Sequence, residues 1–464
     1  MGLSSLLNLR KHSSDDIISR DVAVIGGGAS GVYTAFRLRD NDQSVIVIEK
    51  KDRLGGHAEV YSDPNTGSKF NMGVQVFEDS PIVRDYFRRF NVPLVAQNIS
   101  QRSARVVDFS TGEAVQNYTR PNSTEISSAF VRYARHLSDF PGLRDGFNVT
   151  YPVPPDLLLP FGQFIDKYEL GSFVETVMIL LPGFTPLLEL PTLYVFKALS
   201  PQLVQAFQTG FVMTPDDNTA RLYDAAAQQL GCDVLYNTTI LAMDRSSSYS
   251  SSDSNNAIKI AVQTPKGVKL ILAKQLVSAI PPTPQTMQGY DLSAEELLLF
   301  NQFSGSGYYT AVLNNTGLTQ RYQNFNPMQP YGVPLDPLAY SFEPAPLPGY
   351  TKVFYASAQP MSEEEVKANI IDHIARIKSR NPSLPLTEAE FVAFSDHSPF
   401  NLMVGNEAVR DGFYERMYGL QEQRGTWFAG AAWMTQDSAV IWEWVEEWLL
   451  PRILEAAAGG KSGG

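Results

Sequence analysis

Gly26, Gly28 and Gly31 stand in a G-x-G-x-x-G spacing, directly after the apolar run DVAVI at 21–25 and directly before a helical pattern. Each glycine has its own task in binding a dinucleotide. Gly26 permits a tight turn, Gly28 lets a pyrophosphate approach the backbone, and Gly31 lets helix and strand pack closely. The helix opens around Ala29 and Ser30, and its N-terminus offers free N–H groups and positive potential to the phosphates. A second apolar run, VIVI at 45–48, ends at Glu49, eighteen residues beyond Gly31. An acid there accepts from ribose hydroxyls and disfavours a 2′-phosphate. The alternative is a glycine-rich turn in an α/β domain that binds nothing; the strand–turn–helix context and Glu49 weigh against it.

The elements that must hold these residues are legible in outline. Strand, helix and strand within about thirty residues predict a parallel sheet. A helical pattern over 222–230 precedes a strand at 234–236. Further strands are expected at 258–263, 268–272, 275–280 and 426–428, and helices at 362–378 and 438–450. Ser246–Asn256 reads as a loop or hairpin tip. The chain of 464 residues is 44% hydrophobic and 19% charged, the balance of a folded protein. A net charge of −12 excludes a phosphate-tracking nucleic-acid surface. One cysteine, Cys232, and five histidines exclude a disulfide framework and a cysteine-built metal centre. No stretch reads as a signal peptide. The most apolar segment, 173–199, is broken by Glu175, Pro182, Pro186, Glu189 and Pro191, so it is expected to wall an apolar cavity and not to cross a membrane. Six N-x-S/T sequons, at Asn98, Asn117, Asn122, Asn148, Asn237 and Asn314, keep a secreted form open. Compartment and oligomeric state are not readable.

After Glu49 comes Lys50-Lys51-Asp52-Arg53-Leu54-Gly55-Gly56-His57, and here the sequence resembles the flavin-containing amine oxidase superfamily. That family follows its glutamate with an R-x-G-G loop against FAD. The resemblance implies that Gly55 and Gly56 bring N–H groups to the phosphates, that Arg53 adds charge or braces the loop, and that Lys50 and His57 lie nearby. It continues in Gly73-Val74-Gln75, expected along the flavin ring, in Ile240 near the adenine, and in Trp427-Phe428-Ala429-Gly430. The helix beginning at Ser438 and Ala439 would aim its positive end at the flavin N1 edge. Within the superfamily, Leu157-Leu158-Leu159-Pro160-Phe161-Gly162-Gln163-Phe164 and Gly412-Phe413-Tyr414-Glu415-Arg416 followed by Gly419-Leu420-Gln421 resemble the branch holding polyunsaturated fatty acid isomerase, with fungal β-cyclopiazonate dehydrogenase-like proteins in the same neighbourhood. The implied fold is α/β. A discontinuous Rossmann-type FAD domain takes 18–95, 212–285 and 390–455, a mixed α+β substrate domain takes 96–211 and 286–389, and a flexible tail takes 456–464.

Three departures shape the chemistry expected. Ala431 replaces the family's glutamate after F-A-G. No lysine occupies 303–312, where Tyr308 and Tyr309 stand. Cys232 is far from the F-A-G motif, so FAD is expected to be non-covalent. The reading is an FAD-dependent oxidoreductase that abstracts hydride from carbon of a lipophilic small molecule, with O2 as a candidate acceptor. The alternatives are a redox-neutral double-bond isomerase and a non-catalytic FAD- or lipid-binding protein. Gln75, Tyr308 and Trp433 are the candidate catalytic side chains. Each has a plainer reading: Gln75 as a local backbone partner, Tyr308 as strand packing, Trp433 as core. His57 is expected by the pyrophosphate or, less favoured, as a base. His397 is expected as a structural residue in a turn.

Overall fold

The first apolar run closes a longer strand, Ile17–Ile25; the glycine turn leads into the helix Ala29–Asp40; and the chain returns as the parallel strand Val45–Ile48. A computed structural model describes residues 3–97, 103–246 and 257–459. Around this unit the sheet runs Val234–Leu235, Val45–Ile48, Ile17–Ile25 and Gly267–Ser278, all parallel, with Thr426–Phe428 parallel to the end of the last. Ile258–Thr264 and Thr239–Asp244 extend it antiparallel. Parallel strands buried on both faces read as unbroken apolar runs, which is why these segments stood out.

Gly267–Ser278 is one strand where two were expected. Leu270–Ser278 pairs with Ile17–Ile25 and Gly267–Ala273 pairs with Ile258–Thr264, so no backbone is left for a turn. The charged Lys274 in its middle is accommodated at the surface, 2.8 Å from Asp21. The last helix, Ser438–Trp444, continues through a π-turn at Val445–Leu449 into Leu450–Gly459. The tail expected from Ala456 is therefore helical to Gly459, and 460–464 lie outside the described residues. So does the expected loop from Ser247 to Asn256.

A second sheet is ordered Glu390–Asp396, Gly307–Asn314, Tyr350–Ser357, Leu338–Pro344, Tyr322–Asn324, Arg105–Asp108 and Glu113–Ala114. The expectation that 390–396 belongs to the nucleotide domain is corrected: this strand pairs with Gly307–Asn314, and Phe391 and Phe394 pack into the core beneath the helix Glu363–Ser379. That helix starts at Ser362, whose hydroxyl accepts from Glu365 N while the Glu365 carboxylate accepts from Ser362 N. It buries Val366, Ile370, Ile374 and Ile377 against Tyr309, Ala311, Leu313 and Tyr355. By strand alternation the other face presents Tyr308, Thr310, Val312, Lys352, Phe354 and Ala356. This face meets the nucleotide domain, where Val312 packs on Tyr61, Phe70 and Met72.

The apolar segment 173–199 forms the short helices Val174–Leu180 and Thr192–Ala198, buried in the main core. No helix among the described residues is long and apolar enough to cross a membrane. Asn117, Asn122, Asn148 and Asn237 are exposed, Asn314 is half-buried, and Asn98 lies outside the described residues.

Candidate active site

Two glycine turns face each other. A Cβ on Gly31 would lie 1.9 Å from the Gly26 carbonyl oxygen, so helix and strand touch there as only glycine allows. Gly28 is open apart from Gly56, whose Cα would lie 3.8 Å from a Gly28 Cβ. Gly55 and Gly56 both take positive φ, 109° and 55°, and Gly55 rests on the Tyr223 ring. Gly430 closes the arrangement: a Cβ there would lie 3.7 Å from Ala279 O and 4.0 Å from Ser30 Cβ. Between the turns Ser30 Oγ is buried without a hydrogen-bond partner, at the first turn of the helix. A buried orphan hydroxyl calls for an acceptor or donor that the protein does not supply. A glycine-lined gap, a helix N-terminus and that hydroxyl together fit a pyrophosphate.

Glu49 does more than the sequence suggested. Its Oε2 accepts from Gly27 N at 2.6 Å and its Oε1 from Lys51 N at 2.7 Å, so the acid expected at the ribose pins the glycine turn. Two further lone-pair sites remain on a carboxylate so bonded. Lys50 is exposed beside it, and Ile240 is half-buried on the returning strand, with its backbone packed against Gly289. Arg53 takes the bracing role: its guanidinium donates to Glu59 and, at 3.4 Å, to Gly56 O. Glu59, which sequence reasoning passed over, also accepts from Lys51 Nζ at 2.6 Å and from the Ser395 hydroxyl. These donors hold its carboxyl below the usual range although burial opposes them.

The Gly73-Val74-Gln75 segment is fixed from both sides. A Cβ on Gly73 would fall 1.9 Å from His57 O, and Val74 N donates to the same oxygen at 3.2 Å. Val74 O accepts from Thr219 Oγ1 at 3.2 Å. Gln75 is not a local backbone partner: its Oε1 accepts from Lys352 Nζ at 3.2 Å. Lys352 also lies 3.9 Å from Asp217, which accepts from Asn71 Nδ2 at 2.9 Å. A buried lysine is thus delivered to this segment from the Tyr350–Ser357 strand, next to the strand whose missing lysine was noted. No spacing in the sequence marks it.

Tyr308 and Tyr309 part company. Tyr309 points into the core, its hydroxyl donating to Met361 O at 3.1 Å. Tyr308 faces the nucleotide domain, 4.6 Å from the Phe400 ring and 5.6 Å from the His397 ring, centre to centre. His397, expected as a plain turn residue, is buried with its ring 4.5 Å from that of His57 and its Nε2 3.3 Å from Thr310 Oγ1. Burial pulls the His57 pKa down to about 4 and holds His397 well below the usual histidine range. Trp433 does not reach this wall. It is fully buried, stacked on Phe428 at 5.1 Å, with no part of the ring accessible, so the core reading replaces the catalytic one. At the C-terminal helix Ser438 is half-buried and Ala439 buried, and Asp437 caps the end by accepting from Val440 N at 3.1 Å. Burial, and then the neighbouring Asp437 carboxyl, raise the Glu78 carboxyl well above the usual carboxylate range.

Residues 24–90 match the NAD(P)-binding Rossmann-like domain family. The chain is 37% identical to an FAD-dependent oxidoreductase of Apiospora sacchari, over 94% of this chain and 93% of the relative. It is 32% identical to the beta-cyclopiazonate dehydrogenase of Aspergillus flavus, over 96% of each. Among solved structures, a CLA-producing fatty acid isomerase from P. acnes superposes with a TM-score of 0.71 at 18% identity, over 95% of this chain and 99% of that one, a likeness of fold.

Proposed function

The chain belongs to the FAD-dependent oxidoreductases, and from that premise we propose that it oxidises a lipophilic small molecule by hydride abstraction at carbon, with FAD bound non-covalently. FAD supplies the hydride acceptor, its N5. The chain's own residues bind and orient. Gly26, Gly28, Gly31 and Ser30 would hold the pyrophosphate with Gly55, Gly56 and Gly430, and Glu49 would take the ribose. Gly73-Val74-Gln75, fixed by Thr219 and Lys352, would support the ring, with the helix end at Ser438 and Ala439.

One observation carries the substrate class: the sheet face opposite the dinucleotide turns is built from Tyr308, Phe354 and Ala356, with Tyr340 and Phe400 half-buried against them. Such a wall excludes water, aligns an apolar molecule by ring contacts, and keeps the transferred hydrogen from exchanging with solvent. Cys232 is exposed on the short turn Gly231–Asp233, away from this wall, which supports non-covalent attachment.

The test is anaerobic mixing of the yellow holoenzyme with a panel of lipophilic alcohols, amines and unsaturated lipids. Bleaching of the flavin band with a product two mass units lighter supports the reading, and recovery of the band on admitting air assigns O2 as acceptor. A product of unchanged mass with a migrated double bond would replace oxidation by isomerisation.

A further inference from the structure

We propose that His57 is the acid–base group of this site, taking up a proton when a hydride enters the cleft, with His397 and Glu59 behind it as positioning residues. The proposal rests on the hydride reading for its chemistry, but its geometry stands by itself. His57 follows the Gly55–Gly56 turn, and its carbonyl oxygen binds Val74 N, so its backbone joins the phosphate turn to the segment assigned to the flavin ring. The residue is half-buried, as a group on the wall of a cleft is. Among the described residues neither ring nitrogen hydrogen-bonds to the protein; its contacts are the rings of His397 at 4.5 Å and Phe400 at 5.7 Å.

The groups behind it form a graded path outward. His397 Nε2 lies 3.8 Å from Glu59 Oε2, and Glu59 is held by Lys51 and Arg53, whose side chains are each 34% exposed at the rim. The charged groups acting on the two imidazoles are Lys50, Lys51, Arg53 and Glu59 on the loop of His57 itself, and Lys352 lies on the same face of the second sheet, bound to Gln75. From the second sheet come Tyr308, Thr310 and His397, and from the following turn Phe400, none of which carries a charge at neutral pH.

Burial and the three cations keep His57 neutral, the state a base needs. A negative charge brought into the cleft stabilises the imidazolium and raises the proton affinity of the ring. The step balances. The electron pair and hydrogen of a substrate C–H bond go to the flavin. The proton from the adjacent O–H, N–H or C–H bond goes to a ring nitrogen of His57. The substrate loses two hydrogens, and the new imidazolium offsets the new negative charge. The substrate class is accordingly one that carries a removable proton next to the oxidised carbon.

The experiment needs no substrate. The midpoint potential of the holoenzyme is measured between pH 5 and 7 with chemical reductant, for wild type and His57→Gln. Two protons taken up per two electrons in wild type, and one in the variant, are expected. As a second readout, the five histidines are followed by imidazole NMR in wild-type holoenzyme at pH 6, before and after dithionite. One ring should change from neutral to protonated. An equal proton count in both proteins, with only FAD affinity reduced in the variant, would make His57 a cofactor ligand alone and overturn the proposal. Five unchanged rings on reduction would overturn it even where His57→Gln fails to hold FAD. If no lipophilic compound bleaches the flavin while the proton count holds, the hydride reading fails and the His57 assignment stands.

Discussion

Gly28→Ala and Gly31→Ala separate binding of the cofactor from formation of the turn. Gly28 has φ −78° and ψ −172°, a conformation open to any residue, and its added methyl would meet nothing nearer than Gly56 Cα at 3.8 Å. The apo-protein should therefore keep its stability to within about 1 kcal/mol, with a small gain from a stiffer unfolded chain. The methyl nevertheless fills the gap between the two glycine turns. Losing one charge-assisted hydrogen bond to a phosphate costs about 1.5–3 kcal/mol, or roughly 10- to 150-fold in FAD affinity. At an FAD concentration of 100 times the wild-type Kd, wild type gains about 2.7 kcal/mol from binding; a variant weakened about thirtyfold gains about 0.9 kcal/mol. Gly31→Ala behaves in the opposite way. Its methyl would lie 1.9 Å from Gly26 O, a backbone atom that cannot yield without parting helix from strand. The apo-protein itself should lose about 3 kcal/mol or more. The assay is fluorescence titration of apo-protein with FAD, together with urea unfolding with and without FAD. Wild-type FAD affinity in Gly28→Ala would refute the cradle, and so would an apo-protein as damaged as that of Gly31→Ala.

Lys197 is buried, its Nζ donating to Leu143 O at 2.6 Å and Gly146 O at 2.9 Å, and burial brings its pKa down from 10.5 to about 7. The folded state thus binds this proton less tightly than the unfolded one, so stability rises with pH between 7 and 10.5; from pH 7 to 9.5 the rise is about 3 kcal/mol. Urea midpoints of wild type and Lys197→Met should diverge across that window, the variant staying flat, and parallel curves would show that the lysine is not desolvated. Glu49→Leu should cost the apo-protein about 2 kcal/mol or more, because Gly27 N and Lys51 N both lose their acceptor, and it should abolish FAD binding; an apo-protein of wild-type stability by urea unfolding would limit Glu49 to the ribose. Arg245 is 1% exposed and donates to Asp291 at 2.8 Å and to Glu296 at 2.7 Å and 2.9 Å, joining the returning strand to the helix after it. Arg245→Leu should destabilise by about 3–5 kcal/mol through the carboxylates it strands, measured as a shift in the urea midpoint.

The nucleotide turn is the part of this protein that its sequence determines unaided. Its strand, glycines, helix and acid lie within thirty residues, and their contacts are between near neighbours: Gly26 N to Ile48 O at 2.9 Å, Gly27 N to Glu49. Residue types at fixed short spacings leave one way to satisfy those groups, so pattern and structure coincide. The wall opposite is different. Tyr308 and Tyr309 are identical neighbours in the sequence, and the pairing Tyr308↔Ala356, Tyr309↔Tyr355 alone decides which one faces the cleft; a slip of one residue would exchange them. Lys352 reaches Gln75 and His397 reaches His57 across hundreds of residues, by the register of a sheet whose edge strand the family resemblance assigned to the other domain. Trp433 was an aromatic residue near the F-A-G motif, and only packing on Phe428 and Tyr418 showed that it faces inward. Short-range hydrogen bonding is written in order along the chain. Which distant side chains meet depends on strand register and on how two sheets stack, and those follow from the burial of the whole core.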